Sequence, residues 1–590
     1  MNDLFPYYER ELNYIRKMAN IFAQKHPGRA DKLRIEANKC DDPHTERILQ
    51  AFALLSGRIH KTIDDGFPEI VQSILNIIYP HYNAPIPSMT IVQFEPESQN
   101  ITKAGYPIPK RSQLYSNKNL ESTVCKFQTC YPVDIWPVYI QNAELKLSSL
   151  NSQISIYINT FNNINILDIE WEKIRLHLNT SDQNAFHIYE LLCNNINGIE
   201  CAFSNKESQN NSFSFSLPLD ALKPVGFSKD EMLLPDSKRN LFAHQLLFEY
   251  FCFPQKFFFF DLFGLHNGFC NHTDEFFDTL HICFKLNKKA NKNTEITKNS
   301  FSLNTTPVIN LFKKTAEPIY FDHKKTEYEL IPDRKRRLTT EIYRIDKVEG
   351  ASDRFELLPF YSLKHHDRQS ETKKTIFWHY QRKDSEIAKD KGTDIYMSFR
   401  DLSFEFKDIP KETITVYTQC TNRDLPGLLS TDDFNLEKMS APVSHVKCLR
   451  NPTPTRRPFA SAEIKWRLIS HLSLNFLSMI DKHLDTLKEM LLLYNFDGTL
   501  ASDEMIESIE AIKTEFVTCK IKHSICRGIK ISMTFKNETF NYLLAQVLEH
   551  FFANYVSINS FIQLEVILKS GSTTKVLKKW KPRNGNKIIL

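Results

Sequence analysis

Apolar residues recur at helical spacing through the first ~85 positions. Leu4, Tyr8, Leu12, Ile15, Ala19 and Phe22 form one such series, with Asp3 as a capping candidate and Pro6 in the opening turn. His26-Pro27-Gly28 is a stop signal, and Asp42-Pro43 is a second start. Ile48, Phe52, Leu55, Ile59 and Ile63 then follow at steps of four, three, four and four until Asp65-Gly66. A third helix is predicted from Pro68 to Tyr79, ended by Pro80. These helices carry wide apolar faces that three helices cannot bury by themselves, so they need the rest of the chain or another subunit.

From about residue 88 the period becomes two. Ile154, Ile156 and Ile158 alternate with polar residues, as do Ile174, Leu176 and Leu178, then Phe213, Phe215 and Leu217, and the segment Thr413–Tyr417. This is the pattern of half-buried antiparallel strands. A short helix is predicted at Asn184–Cys193, and Lys- and Asn-rich loops at 287–300 and 365–374 mark soft boundaries. After Pro458 the helical period returns. Trp466–Tyr494 reads as one long or broken helix, Met505–Phe516 as another on Ile506, Ile509 and Ile512, and Leu543–Tyr555 as a third. A strand at Gln563–Lys569 and a basic tail follow. The expected class is α+β and multidomain: a helical region over 1–87, β-rich domains over 88–290 and 291–458, and a C-terminal helical and β region with long helices over 459–590.

Composition changes this picture modestly. The chain has 590 residues with only 15 Gly, against a usual ~7%, yet it has 44 Phe, 22 Tyr and 5 Trp. Little glycine leaves few places for phosphate-cradling loops, and abundant Phe can fill large cores or interfaces. A formal charge of +5 from 75 basic and 70 acidic residues is close to neutral and does not mark a nucleic-acid binder. No basic segment with an apolar run opens the chain, and no stretch approaches the ~18 apolar residues that span a bilayer. The 12 cysteines show no CxxC pair, which reads as thiols in a reducing cytoplasm.

Candidate chemistry is sparse. No nucleotide-binding, zinc-protease or serine-hydrolase motif occurs. Cys519, His523 and Cys526 would share one face of a helix and could ligate zinc, but no fourth ligand is evident, and buried thiols beside a polar His are the plainer reading. Asp333–Arg337 is a basic block that could bind phosphates or import receptors, though a solvated loop, or one contacting an acidic partner, fits better. Basic residues interleaved with Trp580 in the tail could stack nucleobases, though a docking or solvated terminal strand fits better. The aromatic run Phe248–Phe263 is expected in the core or at a subunit interface. Cys420–Pro426 reads as a rigid polar turn in which Asn422 and Asp424 bond local backbone and Arg423 reaches a carboxylate.

These blocks resemble the TssF family, also called ImpG or VasA, of the bacterial type VI secretion baseplate. The resemblance runs along nearly the whole chain. It includes FPYYEREL at Phe5–Leu12, the segment from Asp42 to Asp65, PHYNAPIPSM at Pro80–Met89 and EYFCFPQKFFFFDLFGL at Glu249–Leu265. It continues through Pro307–Pro318, CTNRDLP at Cys420–Pro426, WRLISHLSLNFLS at Trp466–Ser478, CRG at Cys526–Gly528, SINSF at Ser557–Phe561 and WKPR at Trp580–Arg583. Lys126 and Gln128 stand where arginines are usual.

The resemblance implies a cytoplasmic structural subunit, at the inner face of the envelope when assembled, without enzymatic activity, cofactor, metal, nucleic acid or membrane insertion. Two copies would join one TssG in a wedge that engages TssE and TssK, surrounds the VgrG spike, templates tube and sheath assembly and transmits the contraction trigger, as wedge proteins of contractile phage tails do. The partner-interface candidates are Leu4, Tyr8, Leu12, Ile15, Phe22, Phe52, Leu55, Ile59, Arg423, Asp424, Trp580 and Arg583. Two other readings stay open: a β-sandwich hydrolase, which needs paired carboxylates in a cleft, and a nucleic-acid binder acting through the basic tail.

Overall fold

A computed structural model gives the structure of the chain. It describes residues 4–585 except 29–42, 65–67, 98, 100, 121–122, 148–150, 163, 206–211, 236–241, 267–275, 292–293, 323, 352–354, 361–373, 388–389, 401–411, 432–433, 437–440, 459–460, 474–483, 497, 522–523, 537–539, 557–559 and 572. The described chain is mixed α and β and divides into two compact units. Residues 1–80 and 459–473 form the first, and 81–458 with 474–590 form the second.

The first unit is helical. Its helices are α1 (Phe5–Lys25), α2 (Pro43–Asp64), α3 (Pro68–Ile78) and α4 (Ala462–Ser473). Leu4 holds the N-cap of α1 without a side-chain cap bond, and Asp3, the capping candidate, lies outside the described residues. His26 ends the helix as its C-cap. Helices α1 and α2 run antiparallel: Tyr8 lies against Gly57, Ser56 donates to Glu11 at 3.0 Å and Arg16 donates to Glu46 at 2.6 Å. Gly57 permits this approach, since a Cβ there would sit 3.1 Å from the backbone of Tyr7 and Tyr8. Helices α3 and α4 pack on each other, and Val71, Leu75 and Leu468 are buried.

The second unit is built from sheets. A closed six-stranded barrel is made of Met89–Pro96, Thr305–Ile309, Thr123–Thr129, Gln113–Leu120, Phe434–Leu436 and Val443–Cys448. Phe94, Phe127, Val308, Phe434 and Val446 fill it. Segments 88–290 and 291–458 both contribute strands to this barrel, so the soft boundary at 287–300 does not separate sheets. Long-range pairing, which no local pattern encodes, draws the two together. The alternating run at Ile154–Ile158 lies in Ser152–Thr160 of a five-stranded antiparallel sheet, and Phe213–Leu217 lies in its edge strand. Glu412–Thr421 is central to a four-stranded sheet whose core includes Phe312, Ile342, Val416 and Trp378.

The C-terminal part holds a five-stranded sheet. Ile509–Ile521 and Ser524–Lys536 form a long antiparallel ribbon, and the second of these strands pairs in parallel with Phe561–Ser570. The crossover between them is α5 (Tyr542–Ala553), a βαβ unit. Helix α5 is buried on nearly every side and packs against helices Phe242–Cys252 and Asp182–Asn194.

One sequence expectation needs correction here. The predicted helix at Met505–Phe516 ends at Glu507, and the chain continues as the strand from Ile509. Ile512, Thr514, Phe516 and Thr518 also repeat at period two, and pairing with Ser524–Lys536 selects that period. In the stretch Trp466–Tyr494, read as one long or broken helix, the described residues lie in α4 and in the helix Leu484–Tyr494, and Phe476, Met479 and Ile480 lie outside the described residues.

Candidate interaction surfaces

Because α1 and α2 meet through the small residues Ala53 and Gly57, the large side chains of α2 point elsewhere. Ile48, Phe52, Leu55, Ile59 and Ile63 are 68%, 62%, 61%, 60% and 50% exposed. They form one stripe along the helix, spaced as a face should be. The α1 candidates behave differently. Leu12 is buried, Leu4, Tyr8, Ile15 and Phe22 are half-buried, and Phe22 packs on His26 with ring centres 5.3 Å apart. The exposed apolar residues of α1 are instead Phe5, Tyr14, Met18 and Ile21. Sequence reasoning missed this last group, although 14, 18 and 21 follow the same four-and-three spacing.

The polar turn is an interior clamp. Arg423 is fully buried and adopts a left-handed φ of 54°. Its guanidinium meets Asp390 at 2.8 Å and Asp394 at 3.5 Å, and donates to the carbonyl of Arg337 at 2.6 Å. A Cβ on Gly392 would come within 1.8 Å of the Arg423 Nε, so glycine leaves room for the guanidinium. Asn422 exchanges hydrogen bonds with Asn310 and accepts from the backbone N–H of Lys126. Arg423, a partner-interface candidate by sequence, is thus engaged within the chain by acidic residues from distant segments. Asp424 is exposed and pairs with Arg457 at 2.8 Å, which also holds the buried Glu341 at 2.8 Å.

The tail residues are also engaged within the chain. Trp580 is half-buried and stacks on Tyr542 of α5 with ring centres 5.7 Å apart, and its backbone N–H donates to Leu564 at 2.9 Å. Arg583 donates to the buried Glu549 at 2.7 Å while keeping 43% of its side chain exposed. Burial pushes the Glu549 carboxyl upward against the opposing pull of Arg583. Burial, with the Arg583 charge, lowers the adjacent His550 to about 3. WKPR thus fastens the last strands onto α5.

The aromatic run forms core: Phe248 and Phe257–Phe260 are buried. It carries two carboxylates held by cations. Glu249 meets Lys256, both wholly buried, and also accepts from Gln245 and the backbone of Leu233 and Leu234. Asp261 takes two bonds from Arg175, at 2.6 and 2.8 Å, and one from Lys173 at 2.8 Å. Burial works to raise the Asp261 carboxyl, but the two cations outweigh it and hold it below its ordinary value.

In the basic block, Arg337 pairs with Glu329 and Asp394, Asp333 pairs with Lys314, and Arg334, Lys335 and Arg336 are exposed. Cys519 and Cys526 lie on facing strands, not on one helical face, and His523 lies outside the described residues. No group of three or more metal-ligating side chains occurs among the described residues. An open cleft of ≈ 660 Å³ beside the barrel has Glu95 as the one carboxylate among its described lining residues. No helix among the described residues is long and apolar enough to cross a membrane.

The chain is similar to the type VI secretion system component TssF1 of Pseudomonas aeruginosa, 29% identical over 99% of both chains. Its fold is similar to a chain of the cryo-electron microscopy structure of a type VI TssK-TssF-TssG baseplate subcomplex, with a TM-score of 0.74 at 22% identity, covering 92% of this chain and 99% of that one. It is also similar to a chain of a type VI baseplate complex, with a TM-score of 0.62 at 20% identity over 99% and 100% of the two chains. The family model for the type VI secretion system protein TssF matches residues 1–587, and the chain belongs to that family.

Proposed function

We propose that this chain is a structural subunit of a type VI baseplate wedge, pairing with a second copy of itself around one TssG and working without catalysis. The observation that carries the reading is the bare apolar stripe Ile48–Phe52–Leu55–Ile59–Ile63 on α2. A soluble helix seldom leaves so many large apolar side chains in water unless another helix covers them. TssG and the second copy are its proposed occupants, and the exposed α1 residues Tyr14, Met18 and Ile21 extend the same docking capacity.

The four sequence segments are proposed to divide the labour: helical ends for assembly and the β-rich middle as a rigid spacer. TssK, TssE and the VgrG spike are proposed as further neighbours, at the inner face of the envelope. Of the other candidates, Asp424 and Arg583 retain exposed charge for such contacts, whereas Trp580 supports the tail. The experiment is co-expression with the TssG of the same system. A stable complex with two copies of this chain per TssG is expected. A chain that purifies alone under those conditions would remove the reading.

A further inference from the structure

Cys519 and Cys526 are direct cross-strand partners in the ribbon Ile509–Ile521 and Ser524–Lys536. Directly opposed residues of antiparallel strands hold their Cα atoms about 4.5–5.5 Å apart. A disulfide requires ~4.4–6.8 Å. Both carry thiols and are half-exposed. Other described cysteines contrast sharply. Cys125, Cys130, Cys201 and Cys420 are buried, and burial pushes their thiols up to about 12. Cys193 is likewise pushed to about 12 by burial. Such thiols stay protonated and unreactive.

We propose that Cys519 and Cys526 form a reversible disulfide, a modification site for hydroperoxide-class oxidants. One sulfur, as thiolate, attacks a peroxide oxygen, displaces hydroxide and becomes a sulfenic acid. The opposing sulfur then attacks it, the sulfur–sulfur bond forms, and the second oxygen leaves as water. Overall, two thiols lose two hydrogen atoms and one hydrogen peroxide becomes two waters. The bond would tie the edge strand of the five-stranded sheet to its neighbour. A covalent tie fixes the register of a strand that stands at the edge of its sheet among the described residues. A small dithiol reverses it by exchange.

The test uses the full chain treated with hydrogen peroxide, alkylated with iodoacetamide and digested with trypsin without reduction. Cleavage after Lys513, Lys520, Lys522 and Arg527 places the two cysteines on peptides 514–520 and 523–527. The expected product is these two peptides joined, lighter than their sum by two hydrogens and separated by dithiothreitol. C519S should leave Cys526 as a sulfenic acid that dimedone captures. The proposal is overturned if both cysteines stay alkylatable, if they oxidise without joining, if they join other cysteines, or if stoichiometric zinc holds them. Equal oxidation of Cys125 and Cys420 would also overturn it, since selectivity is part of the claim.

Discussion

Replacing Phe52 by Ala separates docking from folding. Phe52 is 62% exposed, so truncating it removes little packing from the isolated chain, and stability should change by no more than about 0.5 kcal/mol. In an assembled bundle that exposed part would be buried. An aromatic side chain buries ~150–250 Å² in all, so about 120 Å² is available to a partner. At ~25 cal/mol/Å² this is about 3 kcal/mol gross for the whole side chain, of which truncation to Ala removes about 2. A loss of 2 kcal/mol weakens association about thirtyfold. Titration of TssG into wild type and F52A measures it, with circular dichroism melts as the folding control. L12A is the contrasting variant: Leu12 is buried between the helices, so truncation should cost the fold itself ~2–3 kcal/mol. Binding within twofold of wild type for both F52A and L55A would refute the reasoning.

Three further outcomes follow from the interior. In G57A the new methyl meets the backbone of Tyr7 and Tyr8 at 3.1 Å. The clash should outweigh the ~1 kcal/mol gain in helix propensity and lower the helical melt. An unchanged or higher melting temperature contradicts it. K256M leaves the buried Glu249 charge without its cation and should destabilise the second unit by about 3–5 kcal/mol, read by urea unfolding; a loss under 1 kcal/mol would dismiss the pair as structural. Burial, aided by the Arg450 charge, lowers His177 from 6.5 to about 3, so the fold holds it neutral. Its contribution is complete above 6.5 and is lost as pH falls toward 3, by up to ~1.4 kcal/mol per pH unit. H177F should flatten the slope of stability against pH between 4.5 and 6.5 by about one proton, and an unaltered slope would reject the assignment.

What the sequence disclosed was local. Pro43 opens α2 at its start signal, Pro68 opens α3 at the predicted position, and Asn184–Cys193 falls within the helix Asp182–Asn194. The α2 stripe was visible as a spacing. That it faces water follows only from the small residues Ala53 and Gly57, which turn the opposite side of α2 toward α1. The rest depended on distant pairings. Met89–Pro96 finds its partners at Thr305–Ile309 and Val443–Cys448, and nothing near Met89 encodes that. That Arg423 reaches a carboxylate was legible in the turn itself, but that the carboxylates are Asp390 and Asp394 depended on a distant pairing. Cys519 and Cys526 fit helical spacing by number alone, while their true relation is across a two-stranded ribbon.

The central claim is that a partner helix covers the apolar stripe of α2. Hydrogen–deuterium exchange of the chain alone and in complex with TssG tests it most directly. The account predicts strong protection across residues 48–63 in the complex, with the barrel strands unchanged. A complex that forms at full stoichiometry while 48–63 exchange as in the free chain would contradict it.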